Sequence, residues 1–169
     1  GHEKEAFLHY LDLGTEFLTQ QKYVTKLVSD RRRIPEINKI ERQNACGKDG
    51  QIADYLKVGD TILVQVTKEP INSKGPRLSA EISITGRNFV LIPFMDKVMI
   101  SSKISSNAEK GRLKQLVQSI KPKGFGVIVR TVAKDKRGAE LDNELRVLVK
   151  RREETVRTLQ RKEPVSLIS

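Results

Sequence analysis

At 169 residues, the chain has room for one domain or two small ones. Apolar residues make up 37% and charged residues 31%, and the net charge is +11; no stretch approaches the roughly 18 uninterrupted apolar residues of a membrane span, and no apolar signal-peptide core follows the first residues. Cys46 is the single cysteine, which excludes an internal disulfide, and His2 and His9 beside it give no zinc-ligand spacing. A reducing cytoplasm is therefore the expected location.

Residues 15–56 are polar and charge-rich. Tyr23-Val24 and Leu27-Val28 hint at a short helix, and Arg31-Arg32-Arg33 is followed by Pro35. The stretch reads as a long, partly mobile insertion, and loops of that length in compact domains are functional or disordered. The triple arginine reads as a solvated face or as an RNA contact. Next, KVGDTILVQVTKE offers a Gly-Asp turn and then alternating Ile62, Val64 and Val66, the period of a half-buried strand. Asn72-Ser73-Lys74-Gly75 reads as a hairpin turn leading back into a strand over residues 78–84.

The second half has a cleaner rhythm. Residues 88–94 (NFVLIPF) read as a strand stopped by Pro93, and residues 98–101 as another after the Asp96-Lys97 turn. Leu113, Leu116, Val117 and Ile120 recur at helical spacing, with capping candidates at Ser105, Ser106 and Asn107. Pro122 and Gly124 end that helix. A strand over 125–131 and a turn follow, then a long helix over 139–162, whose apolar stripe includes Leu141, Leu145, Leu148, Val149, Val156 and Leu159, with basic residues crowding its last turns. The plan is α+β, with helices packed on a small sheet.

Charge divides the chain at the same place as this change of rhythm. Residues 1–82 hold 13 basic against 12 acidic side chains, whereas residues 83–169 hold 19 against 9. A basic half beside a neutral one is the pattern of a surface that neutralises nucleic-acid phosphates, although solubility alone also tolerates such an excess. Within that half the run Val127-Ile128-Val129 ends in Arg130-Thr131. A strand leaving the core would explain the pair; so would a grip on a phosphate, since a planar guanidinium donates two parallel hydrogen bonds to phosphate oxygens and a neighbouring hydroxyl adds a third.

The segments AFLHYLDL, KVGDTILVQVTKEPINSKGPRLSAEISITGRNFVLIPF and GFGVIVRT, followed by a long basic helix, resemble the ribonuclease E/G family of bacterial endoribonucleases, its ribonuclease G branch above all. The resemblance covers most of the chain outside residues 14–55. It implies a partial, open OB-fold RNA-binding domain over residues 1–82, with the insertion at about 15–56. It further implies a small α/β sensor domain over residues 83–169, with a sheet and two helices, that recognises single-stranded RNA bearing a 5′-monophosphate. Arg130, Thr131, Gly86 and Val90 fall on the family's phosphate grip. Backbone amides around Val90 would add donors, and Gly86, lacking a side chain, would let the RNA end approach closely. Phe7 and Lys74 fall on its single-strand contacts, where bases stack on an aromatic and a basic group follows the backbone. On the residues alone, Phe7 reads as a core residue and Lys74 as a solvated turn lysine.

The family's metal-assisted hydrolysis uses magnesium held by an Asp, Asn and Asp cluster in a later domain, and zinc bridged by a cysteine pair. Magnesium and zinc are thus implied for a full-length parent and no cofactor for this chain, which is expected to be inactive alone. Asp135, Glu140, Asp142 and Glu144, the nearest approach to clustered carboxylates, read as caps and dipole partners. A five-stranded barrel starting at Gly1 lacks its first two strands, and the open edges invite pairing with another copy, including homo-oligomers formed by strand exchange. The alternative is an adaptor that binds protein partners through its basic helix, with RNA incidental.

Overall fold

The computed structural model describes residues 5–47, 49–72 and 74–163; Ser73 of the expected hairpin turn lies outside them. Elements follow in the order β1 (Phe7–Leu8), α1 (Phe17–Ser29), β2 (Gln65–Lys68), β3 (Arg77–Ser79), β4 (Ile84–Thr85), β5 (Phe89–Pro93), β6 (Val98–Ile100), α2 (Asn107–Ile120), β7 (Phe125–Val129) and α3 (Gly138–Arg161). The class is α+β, with three α-helices and two open mixed sheets among the described residues, the sheets ordered β1-β3-β2 and β4-β5-β7-β6. Two compact units result. The first joins the described residues up to Ser29 to Ile40–Ile82, and the second joins Asp30–Lys39 to the residues from Ser83 onward.

In the first unit, β2 and β3 form the expected hairpin, antiparallel with Val66 opposite Leu78, and β1 adds in parallel to the other edge of β3. The strands are shorter than alternation alone predicts. Leu13, Phe17 and Ala80 make the buried centre, with Leu8, Tyr10, Leu18, Ile62 and Val64 packed around it. The insertion contributes far more apolar burial than its polar composition suggests. Phe17, Tyr23 and Leu27 are buried along α1, and Ile40 is buried after it. Truncating a fully buried phenylalanine such as Phe17 to alanine costs about 3–5 kcal/mol.

The second unit is built on the β5–β7 ladder. Phe89 faces Val129 and Leu91 faces Val127, all four with zero exposure. Alternation sends Val90 and Ile128, also paired, to the opposite face, where both are half-buried. Strand β6 lies parallel to β7, so the chain crosses over through α2 to reach it. Helix α2 packs on β6 and on α3, and α3 packs on β4 and β5. Leu113, Val117, Leu141, Leu145 and Leu148 supply the helices' buried stripes. Ser106 caps α2, its Oγ accepting from the Glu109 N–H at 3.2 Å. Asp30–Lys39 joins this unit through Ile37, against which Gly124 packs so closely that a Cβ there would lie 2.8 Å from the Ile37 Cγ2. This differs from the expectation that all of residues 15–56 belong with the first half.

Candidate nucleic-acid interface

The ends of the β5–β7 ladder and of β6 meet at Arg130. The Arg130 N–H donates to the Asn88 carbonyl at 2.8 Å, which carries the ladder one pair past β7, and the chain then turns into a short 3-10 segment, Thr131–Ala133. From this fixed backbone the exposed Arg130 side chain reaches across, Nη1 donating to the Gly86 carbonyl at 2.8 Å. Gly86 opens a tight turn whose own N–H donates to the Phe89 carbonyl at 2.8 Å. Arg130 and Gly86 are therefore brought together. Thr131 adjoins them, its Oγ1 lying 3.0 Å from the Ser101 Oγ; Ser101 is positioned by its N–H on the Val129 carbonyl at 2.9 Å, where β6 runs out beside β7.

Val90 lies in the sheet between Thr85 and Ile128. Since Asn88 and Arg130 form a hydrogen-bonded pair, Val90 and Ile128, two residues on, occupy the next such pair. The Val90 N–H therefore points into the ladder with β7. That differs from the expectation of a phosphate donor there and leaves the Val90 side chain as what this position presents.

Glu144 of α3 is neither a cap nor a dipole partner. Its Oε1 accepts from the Asn88 N–H at 2.7 Å and the Phe89 N–H at 3.3 Å, and its Oε2 accepts from the Asn88 side-chain amide. Asn88 is buried, and its Oδ1 finds no donor among the described residues, so Glu144 alone orients it. The same carboxylate explains Gly86. A Cβ there would lie 2.4 Å from the Glu144 Oε1 and 3.1 Å from a Leu148 methyl, so the missing side chain makes room for an internal carboxylate. Asp142, by contrast, pairs with Arg146 one turn on at 2.9 Å, and Glu140 sits in the first turn of α3.

In the first unit Phe7 is 57% exposed, with its ring centroid 6.2 Å from that of His9, which overturns its reading as a core residue. Its N–H donates to the Pro76 carbonyl at 2.9 Å. Lys74 is exposed, and its backbone exchanges hydrogen bonds with Ile71 at 2.9 and 3.1 Å. Nearby Arg77 is spent on Asp12, its Nε and Nη2 donating to the two carboxylate oxygens at 2.9 and 3.1 Å. Among the described residues no three His, Cys, Asp or Glu side chains gather to hold a metal, and burial pushes the lone Cys46 thiol up from its ordinary range. These residues do not fit a magnesium or zinc site, and no metal-assisted step is derived from them. Nor is any helix of the described residues long and apolar enough to cross a membrane.

The geometry so far defines an α+β protein whose second unit gathers a guanidinium and two hydroxyls at the end of a mixed sheet. Residues 83–169 match the model of the Ribonuclease E/G family, and the chain belongs to that family. It is similar to Ribonuclease E of Synechocystis sp., at 45% identity over 86 residues, 51% of this chain and 13% of that protein. It is also similar to Ribonuclease G of Haemophilus influenzae, at 32% over 141 residues, and of Escherichia coli K12, at 31% over 143; each alignment covers 83% of this chain and 25% of the relative. Identity is thus higher to a ribonuclease E and coverage broader for ribonuclease G, which marks the family and leaves the branch open. The chain spans about an eighth to a quarter of the length of these curated relatives.

Proposed function

We propose that the second unit is a 5′-end sensor that seats the terminal monophosphate of single-stranded RNA, within a longer endoribonuclease acting in RNA processing and decay. The single observation that carries this reading is the Arg130 Nη1 bond to the Gly86 carbonyl, at 2.8 Å. A guanidinium has five N–H donors in a rigid fork. One is spent on fixing its orientation, and the side chain is otherwise exposed, which leaves an edge for two phosphate oxygens. With Ser101 donating to Thr131, the Thr131 hydroxyl proton is left to a third oxygen. Val90 contributes an apolar wall. A rigid seat of this kind prefers a monophosphate to a triphosphate by size as well as charge.

The first unit fits an OB-type single-strand surface, with Phe7 stacking on a base and Lys74 following the backbone. Stacking of this kind is worth roughly 1–3 kcal/mol per base. No hydrolytic step is assigned to the described residues. The test is binding of short RNAs that differ only in a 5′-monophosphate or 5′-hydroxyl. Arg130→Ala is expected to lose roughly 1.5–3 kcal/mol on the phosphorylated RNA alone, and Arg130→Lys to recover little, since lysine lacks the fork. An Arg130→Ala chain that kept its preference for the phosphorylated end would refute the sensor reading.

The adaptor reading also has an observation behind it. A groove of about 340 Å³ between the end of α2 and α3 is lined by Ile120, Pro122, Leu145 and Val149 together with two basic and two acidic side chains, Arg146, Lys150, Asp142 and Glu153. A protein bound there predicts weak salt dependence and indifference to the RNA end, whereas phosphate contacts predict affinity that falls steeply with salt.

A further inference from the structure

Gln160, near the end of α3, is only 9% exposed, yet it is a polar side chain with two N–H groups to satisfy. Its Nε2 donates to the Asp30 carbonyl at 3.0 Å and the Arg33 carbonyl at 3.2 Å. The same four residues close on themselves: the Arg33 N–H donates to the Asp30 carbonyl at 3.4 Å and the Arg32 N–H to the Asp30 Oδ1 at 3.1 Å. The backbone of the insertion is thereby pinned to α3, while the side chains of Arg31, Arg32 and Arg33 stand exposed. Arg157 and Arg161, a turn before and a residue after Gln160, are exposed beside them. None of these five guanidinium groups makes an ion pair within 4.0 Å among the described residues; Arg33 acts on Glu36 only as a more distant charge. The nearby Glu36 is engaged by Lys39 at 2.8 Å.

Arg77, Arg112 and Arg146 are paired, with Asp12, Glu109 and Asp142, whereas Arg87, Arg130, Arg137 and Arg151, scattered singly, make no ion pair among the described residues; what sets the Asp30–Arg33 turn apart is three such side chains in a row on a backbone held by a buried amide. Complementing the helix dipole does not call for this cluster, because that effect falls off within the last turn and three of the five side chains come from another part of the chain. A buried amide that holds in place three consecutive arginines, none in a close ion pair, instead matches a polyanion whose charges repeat along a line.

We infer that Arg31, Arg32 and Arg33, pinned by Gln160 and flanked by Arg157 and Arg161, form a second phosphate-binding surface that takes the backbone of single-stranded RNA whatever the state of its 5′ end. Gln160 lies sixteen residues past Glu144 on one helix, about 24 Å along its axis at 1.5 Å per residue, so this surface is separate from the Arg130 seat. The inference rests on the RNA-binding reading, but not on the 5′-monophosphate being what Arg130 holds.

The test is the salt dependence of binding by the whole chain to a 5′-hydroxyl oligouridylate and its 5′-monophosphate twin. Replacing Arg31, Arg32 and Arg33 together with Gln is expected to lower the slope of log affinity against log salt by about 2, at roughly 0.7 per lost single-strand contact. The ratio between the twins should stay as in the unmutated chain. Gln160→Leu, which keeps every charge but frees the loop, should weaken both RNAs by the same factor. An unchanged slope in the triple variant overturns the inference and returns these arginines to solvent or to an acidic protein partner. Equal affinity of the unmutated chain for the twins sinks the sensor reading instead, and leaves the slope comparison standing.

Discussion

Glu144 holds the Gly86 turn from behind, and Arg130 leans on that turn from the front. Glu144→Gln keeps the shape but loses the charge that accepts from two backbone N–H groups and an amide. It is expected to destabilise the fold by about 1.5–3 kcal/mol, the range for hydrogen bonds to charged groups, and to reduce the 5′-monophosphate preference, measured by urea unfolding and paired RNA titrations. Gly86→Ala drives a methyl into the same carboxylate and should cost about 1–3 kcal/mol, with thermal unfolding as the check. Of this constellation, the Arg130-Thr131 pair stands out in the sequence as a charged and a hydroxyl residue closing an apolar strand, a contiguous pattern that leaves surface and phosphate readings open, while Gly86 enters only through the family resemblance. Glu144 was not legible, because an acidic residue early in a helix is ordinarily a dipole partner. Its actual partners lie 55 and 56 residues away in the chain. Ser101 escaped for the same reason, since its role exists only once two strands are parallel neighbours.

Among the elements, the helices of the second unit and its strands β5, β6 and β7 were legible from periodicity, because each buries one face on a single core and so shows one clean repeat. The cap at Ser106 fell among the residues proposed for it. The two-residue strands β1 and β4 were not legible, being too short to alternate. Helix α1 was visible only as a hint, because Thr19 and Gln20 are buried among its apolar residues and blur the stripe. Helix α2 carries a pH-dependent anchor. Arg112, donating from Nε and Nη2 at 2.7 Å, and then the Asp135 N–H at 3.0 Å, hold the Glu109 carboxyl down at about 2. A carboxyl so depressed contributes its stability at all pH values above its ordinary value near 4.5. That contribution is lost as pH falls from about 4.5 towards 2. The stability gap between the unmutated protein and Glu109→Gln should therefore be full at neutral pH and close across that window, as read from urea midpoints at several pH values.

At the scale of the molecule, reassigning Asp30–Lys39 sharpens the charge asymmetry seen along the chain. The first unit then holds 9 basic against 10 acidic residues, a net of −1, and the second 23 against 11, a net of +12. The insertion, read from composition as an appendage of the first half, gives Arg31, Arg32 and Arg33 to the basic unit, and no local pattern announces that because what holds them, Gln160 and the Ile37–Gly124 contact, lies far along the chain. If field as well as contact governs RNA capture, neutralising exposed lysines of the first unit, Lys57 and Lys68, with Gln should leave the salt slope within about 0.5 of the original, less than one single-strand contact.

The parallel pairing of β6 with β7 also dictates when this corner of the sheet can form. Ser101 and Thr131 stand side by side only after thirty residues and a whole helix have looped between them, and the turn at Gly86 is clamped by a carboxylate that emerges later still. Such sequence-distant closures are slow to form. A growing polypeptide leaving the ribosome thus cannot assemble this niche piecemeal. Synthesis must run past Glu144 before the first half of the sheet acquires its finished shape.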